Sequence, residues 1–316
     1  MQIKKPNFWD LKKPNFISFI LLPFTIVLLI NNFLLNRKIN IKNKKVKTIC
    51  IGNIYIGGTG KTPTTIKIYD LLKKLDLKVC TAKKLYPSHL DEKKILEKKT
   101  ELFTGKDRRQ IIEEVVKNNY KLLIFDDGLQ DKKVSYDLQF VCFDSKNWIG
   151  NGNLIPSGPL REKISSLKKY DAVFLKTNDR INENIKQQIK KINPKIEIFD
   201  TNYIVKNLNK FDLSKKYLFF CGIGKPDNFK ETLLKHNFNI IDELIFPDHF
   251  IYTKKDIKKI KDRAKKNNAC IITTEKDFIK INQIDNNDIN YLEVELKIEN
   301  EDKLIKYINS KLNEIY

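Results

Sequence analysis

The chain has 316 residues, a length that suits two modest domains, and 41% of its residues are apolar, enough to build a core in each. The formal net charge is +21, but 54 of the 60 basic residues are lysine and only 6 are arginine. Proteins that read bases or clamp phosphates favour the planar fork of arginine, so this composition argues against a nucleic-acid-binding protein. A positive field still favours anionic membrane surfaces and phosphorylated substrates.

Each of the five cysteines stands in an apolar, strand-like run, and no two of them have the spacing of metal ligands. Their number is odd, and the sequence shows no secretory cleavage site. These features predict reduced thiols buried in a cytosolic protein. The five are Cys50, Cys80, Cys142, Cys221 and Cys270.

The N-terminal stretch predicts a membrane anchor over residues 1–40. A basic, aromatic start is followed by Phe16–Leu35, a nearly apolar run that is long enough to cross a bilayer. The basic residues after this run would hold that side in the cytosol, and no small-x-small cleavage site marks a signal peptide. A helix lying in the membrane interface and a helix buried in a core are the alternatives. The basic residues are Arg37, Lys38, Lys42, Lys44 and Lys45.

A phosphate-binding motif comes next. Gly52–Pro63 reads G-N-I-Y-I-G-G-T-G-K-T-P, between a strand-like run over 46–51 and an amphipathic, helix-like run over 64–75. Strand, glycine-rich turn, Gly-Lys-Thr and helix form the P-loop arrangement, in which backbone N–H groups and the helix N-terminus bind phosphate. Lys61 would reach the β- and γ-phosphates, and the hydroxyl of Thr62 would bind Mg²⁺.

The loop departs from the strict P-loop pattern at one position. A glycine is expected five residues before Gly60, but Tyr55 stands there, and a glycine pair lies inside the loop instead. A glycine-rich turn with an incidental Gly-Lys-Thr is the alternative to a nucleotide site. For a nucleotide site, with ATP and Mg²⁺ as cofactors, we predict contacts from Gly57, Gly58, Thr59, Gly60, Lys61 and Thr62.

Short apolar runs alternate with helix-like stretches over the first two thirds of the chain, which predicts a mostly parallel α/β sheet with helices on both faces. The periodicity weakens over 196–214, where we place a linker. A second alternation then predicts a smaller α/β domain, so the predicted domains are residues 41–200 and 201–316. The predicted strands are 46–51, 78–81, 121–126, 138–143, 172–176, 216–221, 239–245, 269–273 and 291–295, and the predicted helices after the linker are 228–236, 254–266 and a terminal helix.

Two acidic stretches are candidates for phosphoryl transfer. Asp126 and Asp127 end an apolar strand, the place from which an acid holds Mg²⁺ beside a P-loop, and Gln130 follows in the same turn. Asp91 follows a short basic loop and would suit the general base of an enzyme that phosphorylates a hydroxyl. The alternative for Asp91 and its neighbour Glu92 is a pair of acids that complements the dipole of the next helix.

Two further stretches carry candidate site residues. Residues 150–162 are rich in glycine and proline, which predicts an ordered loop over the site, and Arg161 and Glu162 lie at its end. In a chain so rich in lysine, an arginine here suggests a need for a guanidinium to bind phosphate. His249 stands in F-P-D-H-F and is a candidate site residue. The alternative is that it is a surface histidine without a role. T-T-E-K-D over 273–277 predicts a helix cap or a contribution to the cleft.

Taken in this order, the motifs resemble the tetraacyldisaccharide 4′-kinase family, the lipid A 4′-kinases, over nearly the whole chain. They are the P-loop, D-E at 91–92, D-D-G-L-Q at 126–130, G-N-G-N-L-I-P-S-G-P-L-R-E at 150–162, G-I-G-K-P at 222–226, F-P-D-H-F at 246–250 and T-T-E-K-D at 273–277. The resemblance implies a bacterial enzyme at the cytoplasmic face of the inner membrane. It would transfer the γ-phosphate of ATP to the 4′-hydroxyl of a tetraacyldisaccharide 1-phosphate in lipid A biosynthesis. Its partners would be this acylated glucosamine disaccharide phosphate and membrane lipid, with no nucleic acid and no obligatory protein partner.

The resemblance also implies roles for particular residues. Asp91 would be the base, assisted by His249; because these two residues fall in different predicted domains, their pairing would require the domains to close. The remaining roles are Lys61 and Thr62 for the phosphates and Mg²⁺, Asp126 and Asp127 for the metal region, and Gln130, Arg161 and Glu162 for the nucleotide.

Two stretches depart from the family pattern. Residues 83–86 read K-K-L-Y where the family has Arg-Gly-Tyr-Gly, and Asp131 stands where the family has His. The main competing interpretation is a membrane-associated P-loop ATPase or GTPase that works as a switch, because such proteins share a Gly-Gly-x-Gly-Lys-Thr loop. Hydrolysis that needs no lipid acceptor would favour that interpretation. The guanine-reading order Asn-Lys-x-Asp is absent, since residues 176–179 read K-T-N-D.

Overall fold

A computed structural model describes residues 5–35, 45–86, 90–131, 133–177, 183–281 and 284–312. The chain divides into two compact units. The P-loop unit consists of Lys5–Leu85, Lys99–Asn202 and Leu296–Tyr316, and the small unit consists of Tyr86–Lys98 and Tyr203–Glu295. This division differs from the predicted domains, because the segment around Asp91 belongs to the small unit and the C-terminal segment returns to the P-loop unit.

One eight-stranded sheet fills the P-loop unit. Its strands are β1 Lys47–Gly52, β2 Val79–Lys84, β3 Leu102–Gly105, β4 Leu122–Asp126, β5 Leu138–Asp144, β6 Ala172–Lys176, β7 Glu197–Val205 and β12 Val294–Ile298. They are hydrogen-bonded in the order β12-β7-β6-β5-β1-β4-β2-β3, and the neighbouring pairs from β7 to β3 are parallel. The predicted, mostly parallel α/β sheet is therefore confirmed. Because β1 lies between β4 and β5, the turns after these strands meet at one edge of the sheet.

The small unit has a parallel sheet of four strands. They are β8 Lys216–Cys221, β9 Asn239–Ile245, β10 Cys270–Thr274 and β11 Ile289–Leu292, in the order β11-β10-β8-β9. The strands β8 and β10 are almost wholly buried, as expected for central strands with helices on their faces.

Helices connect most of these strands. They include α1 Phe16–Leu35, α2 Lys61–Lys73, α3 Leu90–Lys99, α4 Arg108–Lys117, α5 Glu183–Ile192, α6 Pro226–Lys235, α7 Lys254–Lys266, α8 Glu275–Ile281 and α9 Glu301–Lys311. Helix α7 illustrates why such lysine-rich segments are helical. It buries Ile257, Ile260 and Ala264, whose spacing puts them on one face, and a capping box of Thr253 and Asp256 fixes its start.

Three predictions about the linker and the strands are wrong. Strand β7 occupies nearly half of the predicted linker over 196–214, and strand β3 lies where no strand was predicted. The run predicted as one strand over 291–295 belongs to two strands, β11 and β12, which join different sheets. A local pattern cannot reveal that β7 and β12 are neighbours in one sheet, because about ninety residues separate them in the chain.

The N-terminal segment forms the 20-residue helix α1, and many of its large apolar side chains are exposed, among them Phe16, Phe19, Phe24 and Val27. No helix in the described ranges has both the length and the hydropathy needed to cross a membrane. The anchoring role of residues 1–40 stays a prediction, and four of the basic residues named with it, Arg37, Lys38, Lys42 and Lys44, lie outside the described residues.

The five cysteines are free thiols, as predicted; four are buried and Cys270 is half-buried.

Candidate active site

The P-loop joins the end of β1 to the start of α2 at Lys61. Gly60 caps the helix with a φ of 88°, and Gly57 has a φ of 125°; both lie in the region that favours glycine. The buried amide of Asn53 holds the loop from inside, because its Nδ2 donates to the carbonyl oxygen of Gly57 over 3.2 Å and to Oγ1 of Thr59 over 3.0 Å. The loop thus ends at a helix N-terminus, where an anion is favoured.

The buried carboxylate of Asp126 lies beside the start of α2. Asp126 ends β4, and the strand register pairs it with Ile51 of β1. Thr62 donates from Oγ1 to Oδ2 of Asp126 over 3.0 Å, and Thr65 donates from Oγ1 to Oδ1 over 3.4 Å. The structure therefore brings together the predicted metal residues Thr62 and Asp126.

Lys83 is a site residue that the sequence patterns missed. Its Nζ lies 2.5 Å from Oδ2 of Asp126, and both side chains are almost fully buried. Buried charges are tolerated when they are paired, so each group here stabilises the charge of the other. The predicted basic loop before Asp91 spans residues 83–89, but Lys83 and Lys84 belong to strand β2. Residues 87–89 lie outside the described residues.

Asp127 lies between two cations. Its Oδ2 is 3.4 Å from Nζ of Lys61, and its Oδ1 is 3.3 Å from Nη1 of Arg161. The backbone of Asp127 is left-handed, with a φ of 63°, and its carbonyl oxygen accepts a hydrogen bond from Nη2 of Arg108. Arg108 is in turn paired with Asp131, whose Oδ2 lies 2.5 Å from Nη1. Asp131 thus compensates the buried guanidinium that supports the Asp127 backbone.

Gln130 connects the predicted nucleotide residues to the P-loop. Its Nε2 donates to the carbonyl oxygen of Asn53 and to Oε1 of Glu162, each over 3.0 Å, and its Oε1 accepts from Nη1 of Arg161 over 3.3 Å. Tyr170 also donates to Oε1 of Glu162 over 3.0 Å. The three predicted residues Gln130, Arg161 and Glu162 therefore form one hydrogen-bonded network.

The small unit contains a second cluster, centred on Asp91 in the first turn of α3. Oδ2 of Asp91 lies 2.9 Å from Nδ1 of His249, 3.2 Å from Nζ of Lys276 and 3.5 Å from Nζ of Lys280. His249 has a left-handed backbone with a φ of 58°, a conformation that residues at functional sites adopt more often than others. Because both partners belong to the small unit, the expectation that domain closure brings Asp91 and His249 together is wrong.

The charges around Asp91 keep it ionised. Burial alone would raise its pKa, but the hydrogen bond to His249 and the charges of Lys276 and Lys280 outweigh burial and hold the pKa well below its ordinary value. Burial likewise opposes the charge of Lys276, yet Asp248 and Asp91 raise its pKa. The side chain of Asp91 is 4% exposed and that of His249 is 20% exposed, so solvent reaches the pair from the histidine side.

The T-T-E-K-D stretch supplies part of this cluster. Thr274 and Asp277 cap α8 reciprocally, as predicted: Oγ1 of Thr274 donates to Asp277 over 2.8 Å, and the Asp277 amide donates back over 3.1 Å. Lys276 lies inside the same stretch, and Lys280 follows one turn later. Their importance could be inferred only after Asp91 was known to lie in this unit.

A strand that runs into a P-loop, a helix that begins with Lys-Thr and an acid on the neighbouring strand define a P-loop nucleoside-triphosphate-binding protein. Within that class, residues 17–313 match the family model LpxK, described as tetraacyldisaccharide-1-P 4′-kinase. The chain belongs to this family of kinases, which confirms the resemblance that its motifs indicated and does not favour a switch ATPase or GTPase.

Individual relatives agree with the family match. The chain is 47% identical over 315 residues to a protein of Pelagibacter ubique (strain HTCC1062) named tetraacyldisaccharide 4′-kinase, with 99% of both chains covered. It is 34% identical over 325 residues to a protein of that name from Rickettsia akari (strain Hartford), with 97% of both covered. A crystal structure described as LpxK from Aquifex aeolicus in complex with ATP has a TM-score of 0.70 and 23% identity, covering 93% of this chain and 99% of that one. At this identity the structural likeness concerns the fold.

Proposed function

We propose that the chain transfers the γ-phosphate of ATP to the 4′-hydroxyl of a tetraacyldisaccharide 1-phosphate, a step of lipid A biosynthesis. The observation that carries the proposal is the joint placement of Lys61, Thr62, Asp126 and Asp127 at the start of α2. Membership of the kinase family supports the choice of acceptor, and the ATP complex of the Aquifex aeolicus protein supports the choice of donor.

On the donor side, the N-terminus of α2 and the P-loop backbone would bind the phosphates. Lys61 would contact the β- and γ-phosphates and stabilise the charge that develops as the γ-phosphoryl group moves. Arg161 would add a second cation close to the same place, since both cations already lie within 3.4 Å of Asp127. Gln130 and Glu162 would hold Arg161 in this orientation.

A magnesium ion fits the same residues. Mg²⁺ prefers oxygen ligands and is held by one or two carboxylates together with substrate phosphates. Thr62 and Asp126 supply a hydroxyl and a carboxylate 3.0 Å apart, beside Asp127. Among the described residues, no group of three or more His, Cys, Asp or Glu side chains is arranged to hold a metal. That observation fits an ion held jointly with nucleotide; when bound, it would neutralise phosphate charge. Lys83 would then keep Asp126 in place beside Thr62.

On the acceptor side, Asp91 and His249 would act as one acid–base unit. A sugar hydroxyl is a weak nucleophile at neutral pH, so a positioned proton acceptor helps even when the transition state is loose. Asp91 holds the Nδ1 side of the His249 ring, which leaves Nε2 as the ring atom farther from Asp91. The two lysines beside Asp91 would keep its carboxylate ionised, so that Asp91 would orient the ring and the proton would be received at Nε2 of His249.

We also propose that the protein works at the cytoplasmic face of the bacterial inner membrane, held there by its N-terminal segment. The exposed apolar side chains of α1 support this placement, because burying each such side chain in lipid is worth about 1.5 to 3 kcal/mol. An acylated acceptor stays in the bilayer, and attachment of the enzyme raises the effective concentration at which the two meet.

The proposal is tested by phosphate transfer from γ-labelled ATP to a tetraacyldisaccharide 1-phosphate in mixed micelles. Lys61→Ala should lower kcat/KM by roughly two to four orders of magnitude, because it removes a charge contact made in the transition state. Lys74→Ala is the matched control: it removes an exposed lysine at the other end of α2 and should behave like the wild type. Near-wild-type turnover of Lys61→Ala would refute the P-loop assignment, and equal ATP hydrolysis with and without acceptor would favour the switch interpretation.

A further inference from the structure

The loop over residues 150–160, here called the bracing loop, binds the N-terminal segment. The backbone N–H of Asn151 donates to the carbonyl oxygen of Trp9 over 3.0 Å, and Nε1 of Trp9 donates to the carbonyl oxygen of Pro156 over 3.0 Å. Farther along, the buried hydroxyl of Ser157 donates to the carbonyl oxygen of Ser18 in α1 over 2.7 Å. The predicted loop over the site is therefore also the support of the N-terminal segment.

The same loop also binds the first residues of the P-loop. The amide of Ile56 donates to the carbonyl oxygen of Pro159 over 2.9 Å, and the amide of Arg161 donates to the carbonyl oxygen of Ile54 over 2.7 Å. A β-bridge joins Tyr55 to Leu160. Backbone hydrogen bonds thus fix the start of the P-loop on one side and the N-terminal segment on the other.

Tyr55 connects the N-terminal segment to the P-loop directly. Its ring is 1% exposed, and its hydroxyl donates to Oδ1 of Asp10. Lys5 and Asn147 complete the cluster, since Nζ of Lys5 lies 3.0 Å and Nδ2 of Asn147 lies 3.3 Å from the hydroxyl oxygen. Burial first, and then the hydrogen bond to Asp10, raise the pKa of Tyr55, so the hydroxyl remains a proton donor. This is the position where the strict P-loop pattern has glycine.

We propose that Tyr55 and Asp10 are positioning residues for the nucleotide site. They hold the start of the P-loop against the N-terminal segment, so that the backbone N–H groups farther along keep the geometry that phosphate needs. Such groups must be held to within about 0.5 Å by neighbours that do not themselves touch the ligand. The inference rests on the proposed function only in taking ATP as the ligand of the P-loop.

The test compares Tyr55→Phe and Asp10→Ala with a matched control, Tyr307→Phe. Tyr307 belongs to α9 of the same unit and donates to the carbonyl oxygen of Asp171 over 2.8 Å, so the control also loses one hydroxyl hydrogen bond, away from the P-loop. The affinity for a fluorescent ATP analogue is titrated without acceptor, and kcat and KM for ATP are measured with acceptor. Thermal unfolding of each variant is recorded alongside.

We expect Tyr55→Phe and Asp10→Ala each to weaken binding of the analogue by about 5- to 20-fold and to raise KM for ATP, with kcat at saturating ATP little changed. The double variant should be no weaker than Asp10→Ala alone, because that substitution already removes the hydrogen bond between the two residues. Affinities equal to that of Tyr307→Phe, or variants that only unfold earlier, would overturn the inference. Weakened binding in a chain that phosphorylates no lipid would refute the proposed function and leave this inference standing.

Discussion

Asp91 is a buried carboxylate that makes three contacts with cationic or hydrogen-bonding groups, and this has a consequence for stability. Its pKa in the folded protein lies below its value in the unfolded chain, so ionised Asp91 stabilises the fold. For such a group the stabilisation is complete above the unfolded-state pKa of about 3.9 and is lost progressively as the pH falls below it.

Replacing Asp91 with Asn should therefore destabilise the small unit in a pH-dependent way. At pH 7 the loss should be about 1 to 3 kcal/mol, because Lys276 and Lys280 keep their charges but lose the carboxylate. Urea unfolding at pH 7, 5 and 3 should show the difference from wild type shrinking toward pH 3. Asp248→Asn is the control, since Asp248 contacts Lys276 from a more exposed position and should cost less. A difference that stays constant down to pH 3 would contradict the depressed pKa.

The same residue gives a kinetic prediction. Asp91→Asn should lower kcat by about 10² to 10⁴ with little change in ATP affinity, because the pair would serve the acceptor and not the nucleotide. His249→Ala should cost less, and the double variant should be clearly non-additive, since the two side chains are in contact at 2.9 Å. All three variants are measured at saturating lipid acceptor. Strictly additive losses, or a loss of ATP affinity in place of kcat, would show that the residues do not act as a unit.

At the level of elements, the predictable parts are those with a local signature. The P-loop and α2 follow from glycines and a Lys-Thr pair beside an apolar strand, and Asp126 follows from an acid at the end of a fully buried run. Strand β7 was missed because most of its residues are only half-buried and it lies next to β12, about ninety residues later in the chain. For the same reason, the C-terminal strand β12 and helix α9 could not be assigned to the P-loop unit.

The site was predictable to a similar extent. Its acids, hydroxyl and P-loop lysine stand in motifs, but Lys83 carries no distinguishing pattern in a chain with 54 lysines, and T-T-E-K-D does not reveal that Lys276 is the side chain that joins the site. Lys83 becomes recognisable only when the register of β2 and β4 pairs it with Asp126. The resemblance predicted the pairing of Asp91 with His249, but not that both lie in the small unit, because the alternation of strands and helices does not encode which unit receives α3.

The bracing loop packs closely against the N-terminal segment at Gly150. Gly150 has a φ of 57°, and a Cβ there would lie 2.1 Å from the carbonyl oxygen of Trp9. Gly150→Ala should therefore displace the N-terminal segment and destabilise the protein by about 2 to 4 kcal/mol, from backbone strain and overlap together. Gly152→Ala is the matched control, because its φ of 79° imposes similar strain but its Cβ would meet only Ile149, at 3.8 Å.

The comparison is read from thermal unfolding and from proteolysis of the N-terminal segment. Gly150→Ala should unfold earlier than Gly152→Ala and release the segment more readily. Equal effects of the two substitutions would mean that the close approach to Trp9 contributes little.

For the molecule as a whole, the N-terminal segment has two kinds of surface. Residues 9–18 are hydrogen-bonded to the bracing loop and to Tyr55, through Trp9, Asp10 and Ser18. Helix α1, which begins at Phe16, exposes large apolar side chains after Ser18, including Phe19, Phe24 and Val27. Lipid attachment and support of the P-loop are thus assigned to different side chains of one segment, which makes them separable by mutation.

Two variants separate them. Deleting residues 1–36 should move the protein out of the membrane fraction, or leave it aggregated, and should also weaken ATP binding by at least the 5- to 20-fold expected for Tyr55→Phe, because the support of the P-loop is lost with the anchor. Changing Phe19, Phe24 and Val27 together to Ser should release the protein from membranes while ATP affinity stays at the wild-type value, since Trp9, Asp10 and Ser18 remain. Fractionation and nucleotide titration are carried out on both.

A full-length protein that stays soluble without detergent or lipid would refute the anchoring role. A deletion variant that binds ATP like the wild type would refute the support of the P-loop, and a triple variant that loses ATP affinity would show that the two roles cannot be divided along the segment as its contacts indicate.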